Sequence, residues 1–407
     1  MGQRVKYSGA DHQAGRDRAG EYPEGGLDGM HRRATRLVLY AAFAATGACC
    51  ALPGVLLPWL SRERNWQDRQ GGRLFLLIAM GSAVGPLLVS LRAQRAAVVG
   101  CLLFALASAG WSLHDSPVQI LGIVWGLGLG MTTTAITLLG QRHINDRRDV
   151  LTRLNFLWAL GACTCPLLAS YVSALSSPAF LLRGVALLFG AVCLCLSALL
   201  PMKPQAADET LAGGASAWKF GYWDLRGIPF GLLVATALAT GIEASGGAWL
   251  ATYAARAQHW HAITVAAPSA FWAGLLCSRA LSWFNYTWLH ERRWLRALLI
   301  ITLASAGSLL LPFQSILLLL SSFALGFGLG PLYPEILARV LQFRQTSLIF
   351  FICGITSALM PWGTGLVSTS AGSLHVGLLV PGMGALVMLL SGWSAPSRFR
   401  AGWAGTD

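Results

Sequence analysis

Charged residues are scarce in this chain. Of its 407 residues only 12% are Asp, Glu, Lys or Arg, and the acidic residues number 17. Soluble domains carry roughly 25% charged residues, so the chain has about half of the charge that a water-facing surface needs. This shortage excludes a soluble enzyme, a fibrous protein and a nucleic-acid-binding domain. The 55% hydrophobic content and the mean hydropathy of +0.57 predict a membrane protein instead.

Motifs of catalysis and metal binding are also missing. The sequence has no His-Glu-x-x-His, no Gly-x-Ser-x-Gly and no Walker-type phosphate loop. The eight histidines lie in tails, loops or at the ends of apolar runs, whereas all nine cysteines lie inside such runs, which leaves no loop thiol for an extracellular disulfide. We therefore expect no enzymatic activity, no metal site, no cofactor and no disulfide.

Apolar runs of helix length make up most of the chain. Every backbone polar group in lipid must be satisfied internally, so runs of about 20 residues predict transmembrane helices. The fold class predicted is an all-α membrane protein with 12 transmembrane helices in two six-helix bundles. The twelve runs are 36–60, 72–91, 96–113, 117–140, 152–175, 178–201, 227–252, 263–285, 295–313, 315–337, 346–369 and 373–394.

The longest connection between runs divides the chain into two halves. It carries charges and a Gly-Gly pair and separates six runs from six. The polar, Gly-rich segment before the first run predicts a disordered tail. The predicted organisation is an N-terminal tail at 1–34, a bundle at 35–201, a linker at 202–226, a second bundle at 227–394 and a C-terminal tail at 395–407.

The two halves share sequence features at corresponding places. Run 4 contains Gly-Leu-Gly-Leu-Gly at 126–130, and run 10 contains Gly-Phe-Gly-Leu-Gly at 326–330. A phenylalanine followed ten residues later by a proline occurs at 156 in run 5 and at 351 in run 11. Matching features in matching runs indicate a duplicated six-helix unit and hence pseudo-symmetry.

Basic residues are distributed unevenly among the connections. Of the 30 lysines and arginines, 24 lie in or nearest to the two tails and the even-numbered connections, and six in the others. Because Lys and Arg are retained on the cytoplasmic side, both termini and the linker are predicted to be cytoplasmic. The net charge of +13 thus records topology in a cell (inner or plasma) membrane, with no nucleic-acid partner.

Three stretches resemble the major facilitator superfamily, and within it the sugar-porter-like branch around the fucose permease. They are Arg-Leu-Asn-Phe-Leu-Trp-Ala-Leu-Gly-Ala at 153–162, Gly-Gly-Ala-Trp-Leu-Ala-Thr-Tyr-Ala-Ala-Arg at 246–256, and Gly-Phe-Gly-Leu-Gly-Pro-Leu-Tyr-Pro at 326–334. The resemblance implies a secondary transporter whose halves rock about a site near the midplane, built from runs 1, 4, 5, 7, 8, 10 and 11. It also implies a small polar solute, such as a sugar, carried with protons.

Ionisable groups inside lipid are costly and therefore mark candidate functional positions. Of the acids, only Glu243 lies well within a run. It either contacts substrate hydroxyls or takes a proton, or else it is a structural carboxylate paired with backbone amides or an arginine. The fucose-permease branch has its binding and coupling acids in the first half. Runs 1 and 4 here have none, and run 4 offers threonines, Thr133 among them.

Aromatic and amide side chains within the runs complete the predicted pathway. Stacking of a sugar on an aromatic ring is a familiar binding device, although interfacial aromatic belts and helix–helix hydrogen bonds account for the same residue types. The pathway residues predicted beside Glu243 and Thr133 are Asn155, Trp158, Trp249, Trp272 and Trp362.

Charged residues near the cytoplasmic ends of the runs predict a gate. Arg279 matches an arginine that the family carries near the end of run 8, and Glu335 is a partner for it. Arg92 and Arg95 follow run 2, although the Asp of the family's loop motif is absent there. Snorkelling of arginines to the interface is the alternative explanation.

Three functions remain open from the sequence. The first is a secondary transporter of a small polar solute, with the solute, protons and the bilayer as partners and a single chain as the working unit. The second is an exporter of a drug or secondary metabolite, which would need fewer fixed polar contacts. The third is a membrane sensor that transports nothing.

Overall fold

The computed structural model describes residues 27–89, 93–143, 147–200, 230–257, 261–283, 292–309, 311, 315–332, 335–336 and 346–391. Those residues contain thirteen helices of four residues or more and no strand. They are α1 (Leu27–Glu63), α2 (Asp68–Val89), α3 (Ala93–Trp111), α4 (Val118–His143), α5 (Arg147–Leu175), α6 (Pro178–Leu199), α7 (Phe230–Ala257), α8 (His261–Trp283), α9 (Arg292–Ser308), α10 (Ser315–Leu329), α11 (Thr346–Ala371), α12 (Leu374–Gly377) and α13 (Leu379–Leu390).

Each of the first eleven predicted runs corresponds to one helix, which confirms the all-α fold. The twelfth run is divided at Leu378 into the short α12 and α13. By length and composition, α1 to α7 can each cross a bilayer, and α10 and the α12–α13 segment are shorter apolar helices. The linker, the C-terminal tail and residues 1–26 of the N-terminal tail lie outside the described residues. Residues 27–34 were predicted to be part of a disordered tail, but they form the first turns of α1, since the helix begins at Leu27 before its apolar run.

The outward faces of the helices are apolar. Leu187 and Leu194 of α6 are 77% and 72% exposed, and Leu390 of α13 is 73% exposed. A water-soluble surface rarely carries a continuous belt of exposed leucines, so these faces are suited to lipid contact.

Glycines bring α4 into backbone contact with its neighbours in the first half. A Cβ atom placed on Gly126 would lie 1.8 Å from the Ile78 carbonyl oxygen of α2, and one on Gly130 would lie 2.2 Å from the Ser82 carbonyl oxygen. The glycine between them, Gly128, faces α3 instead, with a Cβ position 2.9 Å from the Phe104 nitrogen. The run of alternating glycines therefore packs one helix against two others.

The second half repeats this packing six helices later. A Cβ atom on Gly326 of α10 would lie 1.9 Å from the Phe271 carbonyl oxygen of α8, and one on Gly328 would lie 2.4 Å from the Thr302 hydroxyl of α9. Thus α10 packs on α8 and α9 as α4 packs on α2 and α3. The duplicated unit predicted from the sequence is confirmed by the helix packing.

Valine at Gly126 should destabilise the protein. The added methyl groups have no room beside the α2 backbone, and overpacking of this kind costs about 1–3 kcal/mol. We expect Gly126→Val to lower the melting temperature of the purified protein in detergent, measured by intrinsic fluorescence. Gly190→Val is the matched control, since nothing lies within 4 Å of a Cβ atom at Gly190. Equal melting temperatures for the two variants would contradict the packing role.

Among the described residues, the two halves meet mainly along three helix pairs, which are α1 with α7, α2 with α11 and α5 with α8. In the α1–α7 pair the backbones touch, since a Cβ atom on Gly54 would lie 2.0 Å from the Gly247 carbonyl oxygen. Along the α2–α11 pair, a Cβ atom on Gly72 would lie 3.0 Å from the Trp362 carbonyl oxygen. Backbone contact between halves leaves no space there for a passage.

Candidate substrate site between the two halves

An ion pair lies in the interior of the second half. The Arg279 Nη2 atom of α8 donates to the Glu243 carboxylate of α7, at 3.3 Å from Oε1 and 3.2 Å from Oε2. The side chains are 10% and 15% exposed for Arg279 and Glu243. Each charge removes the cost of burying the other, because an isolated charge in this environment would be strongly disfavoured.

The position of Arg279 on its helix explains how it reaches Glu243. Arg279 lies four residues before the end of α8, whereas Glu243 lies at the middle of α7. Side chains on a helix lean toward its N-terminus, so the long arginine side chain extends back along α8 toward the middle of the bundle. The sequence placed the Arg279 backbone near the end of its helix. The structure places its charge at Glu243.

An aromatic side chain from the first half packs over the arginine of this pair. The Arg279 guanidinium carbon lies 5.7 Å from the centre of the Trp158 ring of α5, a cation–π distance. Trp158 in turn meets Trp272 of α8 edge to face, with ring centres 5.7 Å apart. Both charged residues thus lie in the second half, whereas Trp158, which packs on Arg279, lies in the first.

Small residues after Glu243 allow the α8 aromatics to approach α7. A Cβ atom on Gly246 would lie 2.9 Å from the Phe271 ring, and one on Gly247 would lie 2.8 Å from the Trp272 ring. Side chains at these two positions would displace both rings. The Gly-Gly pair therefore fixes Trp272 beside Trp158.

Several buried donors near the pair have no hydrogen-bond partner among the described residues. They are the Arg279 Nε, Trp272 Nε1 and Ser245 Oγ atoms. A buried donor without a partner costs roughly 1–3 kcal/mol, so a bound molecule with acceptor oxygens would stabilise this region. The Cys50 thiol of α1 is exposed although it lies in mid-helix.

One end of the bundle is closed by polar contacts between the halves. We call it the 64–67 end, after the turn between α1 and α2. Asp68, at the start of α2, is 8% exposed and accepts hydrogen bonds of 2.8 and 2.6 Å from Arg256 at the end of α7. It also accepts one from the Ser368 hydroxyl of α11. The Arg69 backbone N–H donates to the Thr369 hydroxyl at 2.8 Å. These contacts tie α2 to α7 and α11.

Trp249 lies in the wall between the halves. Its ring is fully buried, its Nε1 donates to the Pro361 carbonyl of α11 at 2.9 Å, and Phe75 of α2 meets it edge to face at 5.9 Å. In this conformation the indole offers no surface to a ligand. It holds α7 against α11.

The remaining predicted residues lie at other places. The Thr133 hydroxyl donates to the Leu129 carbonyl of its own helix at 2.8 Å. Trp362 is half-buried on α11, and Asn155 is exposed one turn before Trp158 on α5. Of the predicted gate, Arg95 is exposed at the start of α3 and Glu335 is half-buried beyond α10, while Arg92 lies outside the described residues.

Asp68 and Arg256 were not singled out from the sequence. Asp68 follows a polar turn, where an acid is ordinarily solvated, and Arg256 is 188 positions away. The feature that could have identified Asp68 is its position in the first turn of a helix, where an acid is stabilised by the helix dipole.

The family model of the Major Facilitator Superfamily matches residues 39–343, and the chain belongs to this family. Its members are transporters of small molecules rather than enzymes, so the chain is a multi-pass membrane protein of the transporter class. No curated protein matches the chain at a significant level.

Solved structures share the fold at low sequence identity. A bacterial homologue of the human lysosomal transporter Spinster, inward-facing and unoccupied, has a TM-score of 0.67 and 13% identity, covering 91% of this chain and 98% of its own. The nucleoside transporter NupG gives 0.65 and 14%, and a D-xylose–proton symporter gives 0.64 and 14%, each covering 89% of this chain and 98% of its own. These similarities confirm the twelve-helix, two-bundle architecture.

Proposed function

We propose that this chain is a secondary transporter that carries a small polar solute, with a sugar as the first candidate, together with protons by alternating access. The observation that supports the proposal is the Glu243–Arg279 pair of the second half, covered by Trp158 of the first. The D-xylose–proton symporter among the solved structures of this fold is consistent with such a solute.

The geometry suggests how a proton and a solute would be coupled. While Glu243 is ionised, its carboxylate occupies the Arg279 guanidinium. A proton on Glu243 removes the negative charge and leaves Arg279 able to donate to solute oxygens, since a guanidinium keeps its charge and its five donors. The solute then binds best to the protonated protein, which is the requirement for symport.

Rocking of the halves would change the environment of the pair. Trp158 moves with α5, and the charges move with α7 and α8. Separation of α5 from α8 would admit water to Arg279, whereas approach would exclude it. Because burial of charge depends on pairing and hydration, the protonation state of Glu243 and the conformation are linked. Asn155, Thr133 and Trp362 would complete the wall of the pathway.

The distribution of basic residues supports an orientation with both termini in the cytoplasm. In that orientation the 64–67 end faces outward, and the Asp68–Arg256 contact closes the protein to the outside. The arginines at 92 and 95 and Glu335 would then form the cytoplasmic gate. The protein would work as a single chain in the cell membrane.

Transport assays in proteoliposomes test this function. We expect an inward pH gradient to drive accumulation of one member of a set of radiolabelled monosaccharides, and a protonophore to abolish it. Uptake unaffected by the protonophore would contradict proton coupling. Transport of apolar drugs instead of sugars would establish the exporter alternative, and no movement of any solute would establish the sensor alternative. Either result overturns the proposal.

A further inference from the structure

A cavity lies between the halves at the 64–67 end. It has a volume of about 720 Å³ and is lined by the ends of α1, α5 and α7 and the beginnings of α6 and α8. Its deepest polar residue in α7, Thr252, is nine residues beyond Glu243, or about 13 Å along the helix. The cavity is therefore separate from the ion-pair site. None of the residues Glu243, Arg279, Trp158 and Trp272 lines it.

The wall of this cavity is aromatic and positively charged. Trp59 and Trp66 contribute half-buried rings, and Arg62 and Arg256 contribute guanidinium groups, whereas no lining residue is acidic. Arg256 is neutralised by Asp68. Arg62 has one hydrogen bond among the described residues, from Nε to the Pro58 carbonyl at 3.2 Å, which leaves its terminal N–H groups available.

The neighbouring acid does not neutralise Arg62. Glu63 makes its contact with His114 of the α3–α4 connection, at 3.0 Å, and does not line the cavity. The cavity wall thus keeps one positive charge without a carboxylate partner in the described part of the chain. A low-dielectric cleft of one sign concentrates ions of the opposite sign.

A buried hydroxyl in the same wall lacks a partner. Thr252 is 2% exposed, and its Oγ1 atom has no hydrogen bond to any described residue. Buried polar atoms are nearly always satisfied, so an unsatisfied one indicates a missing ligand or solvent molecule. Arg62 and Thr252 both offer hydrogen-bond donors, and the Arg62 donor is cationic. The acceptor that suits such a pair of donors is an anionic oxygen.

We propose that this cavity binds an organic anion, with its carboxylate or phosphate at Arg62 and Thr252 and its apolar part against Trp59 and Trp66. The volume is that of a site for a drug-sized molecule. Such an anion could come from water or, as a lipid headgroup with part of its chain, from the bilayer. Residues of both halves line the cavity, so the bound anion stabilises the conformation that is closed at this end.

Photolabelling with an aromatic carboxylate, 4-benzoylbenzoate, tests the proposal on the purified full-length protein. We expect mass spectrometry to find the label on α1, α5 or α8 peptides that line the cavity. Arg62→Gln should reduce labelling at least about tenfold, because the charged hydrogen bond to the carboxylate is lost, and Thr252→Val should reduce it less. Arg69→Gln, a second exposed arginine at this end that does not line the cavity, is the control and should label like the parent protein.

Competition distinguishes the two sources of the anion. Protection by phosphatidylglycerol in nanodiscs, but not by phosphatidylcholine, would assign the site to a lipid, and protection by benzoate alone would assign it to a soluble anion. Equal labelling of Arg62→Gln and the parent, or a label confined to other peptides, would overturn the proposal. Labelling requires no transport of solute, so the result is read independently of the transport mechanism.

Discussion

Glu243→Gln should abolish uptake driven by a pH gradient while preserving exchange of solute across the membrane. The amide cannot take or release a proton, but its oxygen can still accept a hydrogen bond from Arg279, and Arg279 remains free to donate to the solute. The variant therefore resembles the protonated protein permanently. Proton-driven accumulation should fall to the level of empty liposomes, whereas counterflow with preloaded solute should continue.

Arg279→Gln should give a different result. It removes the donor that we propose binds the solute, and it leaves the buried Glu243 carboxylate without its cation, so both accumulation and counterflow should be lost. Glu63→Gln, which alters an exposed acid at the 64–67 end, is the control and should transport normally. Undiminished proton-driven uptake by Glu243→Gln, or identical loss of both activities in the Glu243 and Arg279 variants, would contradict the coupling scheme.

Leucine at Gly54 should hold the 64–67 end open and stop transport. No side chain fits between the α1 backbone and the Gly247 carbonyl in the closed conformation. The larger residue therefore destabilises only the state in which α1 and α7 touch, which shifts the population toward the opposite conformation.

Cysteine labelling measures this shift. In a variant that keeps Cys50 as its single cysteine, a membrane-impermeant thiol reagent added at the 64–67 end should react faster when Gly54 is leucine. Gly184→Leu is the control, because nothing lies within 4 Å of a Cβ atom at Gly184. Unchanged reactivity of Cys50 together with normal transport would show that α1 and α7 do not need to touch.

The fold could be predicted almost completely from the sequence, because the patterns that indicate it lie within short stretches of the chain. Apolar runs of span length identify helices, and the glycines at 126–130 and 326–330 identify the repeat. The exact ends could not be predicted. For example, α7 continues to Ala257 rather than 252, since its last turn is stabilised by the Arg256–Asp68 contact with another helix.

The site could be predicted only in part. The cost of burying a charge in lipid identified Glu243 as a candidate site residue, and the family resemblance identified Trp158 and Arg279 as further candidates. That these three meet depends on the rotation and relative height of α5, α7 and α8, which no local pattern specifies. For the same reason Trp249 could not be distinguished from Trp272 by type, although one holds two helices together and the other lies beside the ion pair.

The single mid-helix carboxylate also sets an energetic ceiling. If Glu243 is the proton carrier, each cycle moves at most one proton, and the solute gradient cannot exceed what one proton supplies. A proton-motive force of 100 mV corresponds to about 2.3 kcal/mol per charge, which sustains roughly a 50-fold concentration ratio for a neutral solute. A stoichiometry of one would suit a cell that scavenges its nutrient from moderate rather than trace supplies.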